Sequence, residues 1–287
     1  MHRLVPAALT IGLLLAARPL LRSQPDRAGE ILTRAREAIG GEARLKAVRS
    51  LSLSGDATLE LASADGITSA ARFGGATDYK VEVEIVLPDK YLVTSHRGVW
   101  SDGINGNEII ARRDGVQVTF DNARARQAFT EMRQREFLRY VLAWLLEAPD
   151  QSGVRFADGG VGEFEGTRAD IVEATGPYRF AARLVFDGQA RLLILEDFVP
   201  TAPPVPAKPL SPPEKSAAKD DRPLFSAIEM LPDQRDIRIR VADYRLVDGI
   251  RFPHRIVTES HGFRREEFRI SQIKVNPQIN PKHFNPK

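Results

Sequence analysis

Residues 236–286 constrain the fold more than any other part of the chain. Ile237, Ile239 and Val241 alternate with Arg238 and Arg240, Ile250, Phe252 and Ile256 with Arg251 and Arg255, and Phe268 and Ile270 with Glu267 and Arg269. A strand turns successive side chains to opposite faces, so this period of two predicts a sheet with one buried and one wet face. Asp248-Gly249 and the pair His261-Gly262 predict the turns between three antiparallel strands. Ile273 and Val275 fall out of phase with Phe268 and Ile270, which predicts an extra residue, a bulge, near Ser271-Gln272. A bulged sheet curls, and a curled one-sided sheet makes a cavity wall. The residues after it read as a clamped tail.

The same pattern recurs upstream. Leu51, Leu53, Ala57, Leu59 and Leu61 alternate with polar residues, as do Tyr79, Val81, Val83, Ile85 and Leu87 until Pro88-Asp89 breaks the strand. Short strands follow at 91–95, 98–101 and 108–111, with Asp102-Gly103 and Asn105-Gly106 as turn signals. Further strands are expected at 166–174, 178–186 and 192–199. Two segments switch to the helical period. Residues 25–39 place Ala28, Ile31, Leu32, Ala35 and Ile39 on one face and end at Gly40-Gly41, and a short helical turn is expected at 43–48. Residues 123–148 carry a stripe of Phe129, Met132, Leu138, Val141, Leu142 and Leu145, and from 137 to 146 the segment is apolar almost all round, Arg139 being its only charge. A helix of that kind is either packed permanently in a core or able to face lipid.

Residues 1–23 read as a secretory leader: a basic start at Arg3, an apolar run over 4–17 and Arg18 after it, too short for a comfortable membrane span. The remainder, 24–287, reads as one domain, with a proline-rich insertion at 200–223 that is extended loop or linker rather than core. There are no cysteines, so the fold must be held without disulfides and there is no lipid-modified cysteine after the leader. The expected location is the periplasm, in soluble form after leader cleavage. The net charge of +3 comes from basic residues interleaved with acidic ones, which argues against a nucleic-acid surface. A monomer is expected.

The search for chemistry returns little. His96, His254, His261 and His283 lack the spacing by which a helix grips a metal. Gly160, Gly162 and Gly166 lie between strand patterns and open no helix, so they read as loop rather than as a phosphate cradle. No Gly-x-Ser-x-Gly elbow is present, and Ser271 and Lys274 would point to opposite faces of a strand. No catalytic residue, cofactor or metal site is assigned.

In this order the elements resemble the periplasmic lipoprotein-carrier superfamily, the LolA-like proteins with their LolB and RseB relatives, of the outer-membrane lipoprotein-sorting type. The likeness is carried by the helix that leads through 45–51 into a long strand, by Pro88-Asp89-Lys90-Tyr91 after a strand, by Ser101-Asp102-Gly103 and by the Phe-and-Pro tail at 280–286. Leu87 stands where such carriers often place a basic residue before the proline, and the Trp expected after the Ser-Asp-Gly turn is replaced nearby by Ile109 and Ile110. The resemblance implies an α+β fold, mostly antiparallel β: a curved half-open β-barrel covered on one side by helices. It implies a non-enzymatic carrier for lipid or lipoprotein acyl chains, with envelope membrane proteins as further partners. The cavity would be lined by Val81, Val83, Ile85, Ile237, Ile239 and Phe252, under a lid carrying Phe129, Met132, Phe137, Val141 and Leu145. The alternative is an envelope sensor or protein-interaction module that uses the same fold without transferring cargo.

Overall fold

The computed structural model describes residues 26–61, 77–96, 100–120, 122–197, 237–260 and 264–285. The expected leader at 1–23 and proline-rich insertion at 200–223 lie outside these residues.

Helix α1 (Arg27–Ile39) starts where the Asp26 side chain accepts the Gly29 N–H and stops at Gly40, whose φ of 151° favours glycine. All five residues of its expected apolar face are buried. After the short helix α2 (Glu42–Lys46), the chain enters one antiparallel sheet. Strand β1 (Ser50–Leu61) takes a central place. From it β2 (Thr77–Val86), β3 (Lys90–Ser95), β4 (Trp100–Asn105), β5 (Glu108–Arg113) and β6 (Val116–Gln117) step out to one edge. Helix α3 (Ala123–Leu145) then crosses to the other arm. The chain resumes at the opposite edge with β7 (Arg155–Phe164). It steps back through β8 (Thr167–Thr175), β9 (Ala181–Phe186), β10 (Leu192–Asp197), β11 (Ile237–Val247) and β12 (Ile250–Ser260) to β13 (Arg264–Val275), which pairs with β1. The described strands form a 13-stranded sheet that does not close, with β6 and β7 as its edges. This is the expected α+β architecture: a half-open antiparallel barrel with helices against one face.

The phase slip after Ile270 is a bulge. Gly55 pairs with Ile270 and Ser54 with Gln272, so Ser271 has no partner in the register, and its hydroxyl donates to the Ser54 carbonyl at 3.1 Å. Asp248 and Gly249 both take positive φ, 50° and 80°, at the β11–β12 turn. The core lies on the inner face of the sheet: Leu51, Leu53, Val83, Ile85, Phe252 and Ile256 meet the buried side chains of α1 and α3 there.

Three expectations need correction. Asp102-Gly103 is no turn; both residues lie inside β4. A Cβ on Gly103 would fall 1.8 Å from the Tyr91 carbonyl, so the glycine serves close strand approach rather than chain reversal. Gly160 and Gly162 belong to edge strand β7, not to a loop, with a register shift between Asp158 and Gly160, while Gly166 does sit in the turn that follows. The missing side chains of Gly159 and Gly162 leave room for Ile171, which a Cβ at these positions would meet at 2.7 and 2.9 Å. Strand β6 is also additional to the expected set.

Candidate ligand-binding site

Helix α3 is the element around which the hollow is arranged. Asn122 caps its start by accepting the Ala125 N–H at 2.8 Å. It ends at Leu146, which turns left-handed with φ 51°. Along its length it touches β4 and β5 in one arm of the sheet and β10 and β12 in the other. Two buried ion pairs fix it to both arms. Arg133 donates to Asp102 of β4 at 2.9 Å and also pairs with Glu136. Burial works against the charge on Arg133, but the carboxylates of Asp102 and Glu136 outweigh it and raise its pKa. Arg139, the one charge in the apolar half of the helix, reaches Asp197 of β10 through two guanidinium nitrogens, Nε to Oδ1 at 2.8 Å. An aromatic shelf completes the contact: Tyr91 meets Phe137 and Tyr140 at ring-centroid distances of 6.3 and 5.8 Å, and Tyr140 stacks on Trp144 at 4.9 Å.

Two cavities open at the end of the hollow where α3 stops. The first, about 490 Å³, lies against Leu45, Val48, Leu87, Val141 and Leu145. Lys46, Arg49, Glu147 and Asp150 add charge to its wall. The second, about 580 Å³, sets Ile104, Phe137 and Leu138 against Asn107, Gln134 and Tyr178. Pro88, Pro149 and Gln151 line both, so the segment after α3 is the partition between them. Volumes of this order suit a single small ligand or one acyl chain each.

The polar groups of the second cavity tie the two arms together. Gln134 Nε2 donates to Asn107 Oδ1 at 2.9 Å, and the Tyr178 hydroxyl donates to the same oxygen at 3.3 Å. Asn107 belongs to the β4–β5 turn and Tyr178 to the β8–β9 turn, so the bridge spans the mouth of the open sheet. Behind the wall of the first cavity Arg36 of α1 donates Nε to the Leu146 carbonyl at 2.9 Å, and the same nitrogen lies 3.8 Å from Glu147 Oε2. That carboxylate oxygen is buried and accepts no hydrogen bond. Burial raises the Glu147 pKa, with Arg36 and Lys46 opposing.

The structure distributes the expected site residues unevenly. Val141 and Leu145 line the first cavity and Phe137 the second. Val81, Val83, Ile85, Ile239 and Phe252 stand in the packed core with Phe129, while Ile237 and Met132 are partly buried against it; none of these lines either cavity. Sequence reading missed the charged and amide groups at the mouth. They come from separate turns and helix ends and, for Gln134, from the middle of α3, and only the break at Pro88 and the proline after the helix hinted that chain segments meet there. Among the described residues, no group of three His, Asp or Glu side chains could hold a metal ion, and no helix is long and apolar enough to cross a membrane.

No protein-family model matches the chain, and no curated protein sequence matches it. Solved structures do. A domain named for outer membrane lipoprotein sorting, from Vibrio parahaemolyticus, superposes with a TM-score of 0.51 at 12% identity, covering 90% of this chain and 97% of that one. A DUF1329 family protein from Desulfovibrio piger gives 0.50 at 8% identity, covering 91% and 98%. A LolA superfamily protein from Nitrosomonas europaea gives 0.49 at 12% identity, covering 90% and 97%. At such identities the likeness is one of architecture, and it matches the open sheet wrapped on α3: the chain has a LolA-like fold.

Proposed function

We propose that this protein is an exported, non-enzymatic carrier that holds the acyl chains of lipids or lipoproteins in the periplasm. The observation that carries the reading is the pair of cavities at the end of α3, half apolar and open at the mouth, in a fold shared with a domain named for lipoprotein sorting. In this reading residues 1–23 are removed on export and 24–287 form the carrier, with 200–223 as an insertion. An acyl chain gains about 0.8 kcal/mol for each methylene taken out of water, so an apolar hollow suffices to hold it. The chain enters beside Val141 and Leu145 in the first cavity and Phe137 in the second. Helix α3, through Phe129, Met132, Phe137, Val141 and Leu145, is the cover. The bed beneath it, Val81, Val83, Ile85, Ile237, Ile239 and Phe252, receives chain as the cover lifts.

Ala148 is half-buried at the edge of the core and lines the first cavity, so Ala148→Trp fills it. Titration of delipidated protein with a fluorescent fatty acid should show affinity falling at least about tenfold in this variant, with an unchanged circular-dichroism spectrum. Binding equal to wild type would overturn the reading. Protein purified without detergent should also release an acyl lipid or lipopeptide into an organic extract.

A further inference from the structure

The β8–β9 hairpin closes over the second cavity in a conformation that its own sequence does not favour. Phe180 donates its N–H to the Pro177 carbonyl at 2.9 Å, which makes Tyr178 and Arg179 the two central residues of the turn, and both take φ 58°. Turns with positive φ at both central positions favour Asn-Gly, because a larger side chain crowds the backbone there. The base of the hairpin is fixed: Phe180 is buried in the core, and Gly176 donates its N–H to the Phe180 carbonyl at 2.9 Å. The tip is held from outside itself. Arg135 of α3 donates to the Tyr178 carbonyl at 3.1 Å, and the Tyr178 hydroxyl donates to Asn107 of the opposite arm at 3.3 Å; both bonds are exposed to water. Pro177 and Tyr178 line the cavity that they close, together with Asn107 and Gln134.

Resting on the carrier reading, we infer that residues 177–179 are a gate to the second cavity, with Tyr178 as its bolt. The gate swings out on the anchored base to pass an acyl chain and closes again over it. Two opposed effects set its balance. Left-handed Tyr178 and Arg179 push the tip open, since the backbone relaxes once it leaves that conformation. The bonds to Arg135 and Asn107 pull it shut, and exposed hydrogen bonds contribute little enough to break and remake locally without unfolding the sheet. A gate that is shut in both the empty and the loaded protein stabilises the two states equally, so it sets rates and not affinity. Weakening the bolt should therefore raise the association and dissociation rates together, and easing the turn should lower both.

The test reads the second cavity alone. Ser152 lines it and not the first, and the chain has no cysteine, so Ser152→Cys takes a single environment-sensitive dye. Stopped-flow mixing of the delipidated full chain with laurate below its micellar concentration then gives both rates. Tyr178→Phe keeps the ring and deletes the bond to Asn107, so both rates should rise about fivefold. Arg179→Gly suits the left-handed position, so both should fall about threefold. Affinity should stay within about twofold in each variant, and circular dichroism should show both folded. Unchanged rates in Tyr178→Phe, faster rates in Arg179→Gly, or an association rate that moves without the dissociation rate overturns the gate and leaves the carrier standing. A dye that laurate never perturbs, in protein that still binds the fluorescent fatty acid, overturns the gate too. Failure to bind either ligand overturns the carrier reading with it.

Discussion

Tyr91 is fully buried, and its hydroxyl has no hydrogen-bond partner. Burial pushes its phenol pKa well above the usual value, and the nearby Glu136 adds to the effect. The ring itself is well used, as the shelf for Phe137 and Tyr140. Tyr91→Phe keeps the shelf and removes the orphan, so it should stabilise the protein by about 1–2 kcal/mol in urea unfolding. A loss of stability would mean that the hydroxyl has a partner after all. Glu267 is the opposite case. Its side chain is only 6% exposed and receives Arg255, Arg265 and Arg269. Hydrogen bonds from Arg255 lead the shift of its pKa down to about 2, with Arg265 and the surrounding positive charge helping against burial. Since the folded value lies below the unfolded one, the stabilisation is complete above about pH 4.5 and is lost as the pH falls through about 2. Glu267→Gln should cost about 2 kcal/mol at neutral pH. The gap between the two proteins should narrow as unfolding is measured from pH 4.5 downward; a gap that stays constant would contradict the assignment.

Among the elements, α3 shows best what was legible in the chain and what was not. Its helical period, its start near Asn122 and its burial were all readable, because they depend on residues close in sequence. How it is held was not readable, since that depends on what Arg133 and Arg139 meet. They meet Asp102 and Asp197, one in each arm of the sheet. These pairs fix the helix to both arms of the barrel. Strands divide in the same way. Strands β11 to β13 were legible down to the bulge at Ser271, because each has one buried face and so a strict alternation. Strand β7 was not, because an edge strand with Gly159, Gly160 and Gly162 has little to bury. Asp102-Gly103 misled because its glycine answers a tertiary contact with Tyr91 while its local sequence is that of a turn. The ion pairs make a prediction. Asp197→Ala strands the Arg139 guanidinium in the core and should cost about 3–5 kcal/mol. Replacing both, as Arg139→Met with Asp197→Leu, should recover most of that loss in thermal unfolding. If the double variant is no better than the single one, the arginine is not what the lost carboxylate leaves uncompensated.

On the scale of the whole molecule, an open sheet needs something other than closure to hold its two arms together. Three devices do this on the described residues. Strands β1 and β13, near the two ends of the chain, pair at the centre of the sheet. Helix α1 docks on the far edge, where Arg27 reaches Asp158 of β7 and Asp170 of β8. The tail clamps the outer face of the other arm. There Asn276 accepts the Arg49 N–H at 2.6 Å and donates to the Ala47 carbonyl at 3.1 Å. Further on, Phe284 closes over Leu92 and Ile110, held by Asn105, which donates to its carbonyl at 3.2 Å. This small core lies apart from both cavities: neither Phe284 nor Leu92 nor Ile110 lines them. Stability and binding should therefore separate here. Phe284→Ala should cost about 3 kcal/mol, the usual loss for a buried phenylalanine, and should speed proteolysis of the tail. Affinity for a fluorescent fatty acid should stay within about twofold of wild type at a temperature where the variant is folded. A tenfold loss of affinity in folded Phe284→Ala would show that the tail reaches the cavities through the β4–β5 turn, where Asn105 adjoins Asn107. In that event the outer face of the sheet would belong to the binding site rather than to its scaffold.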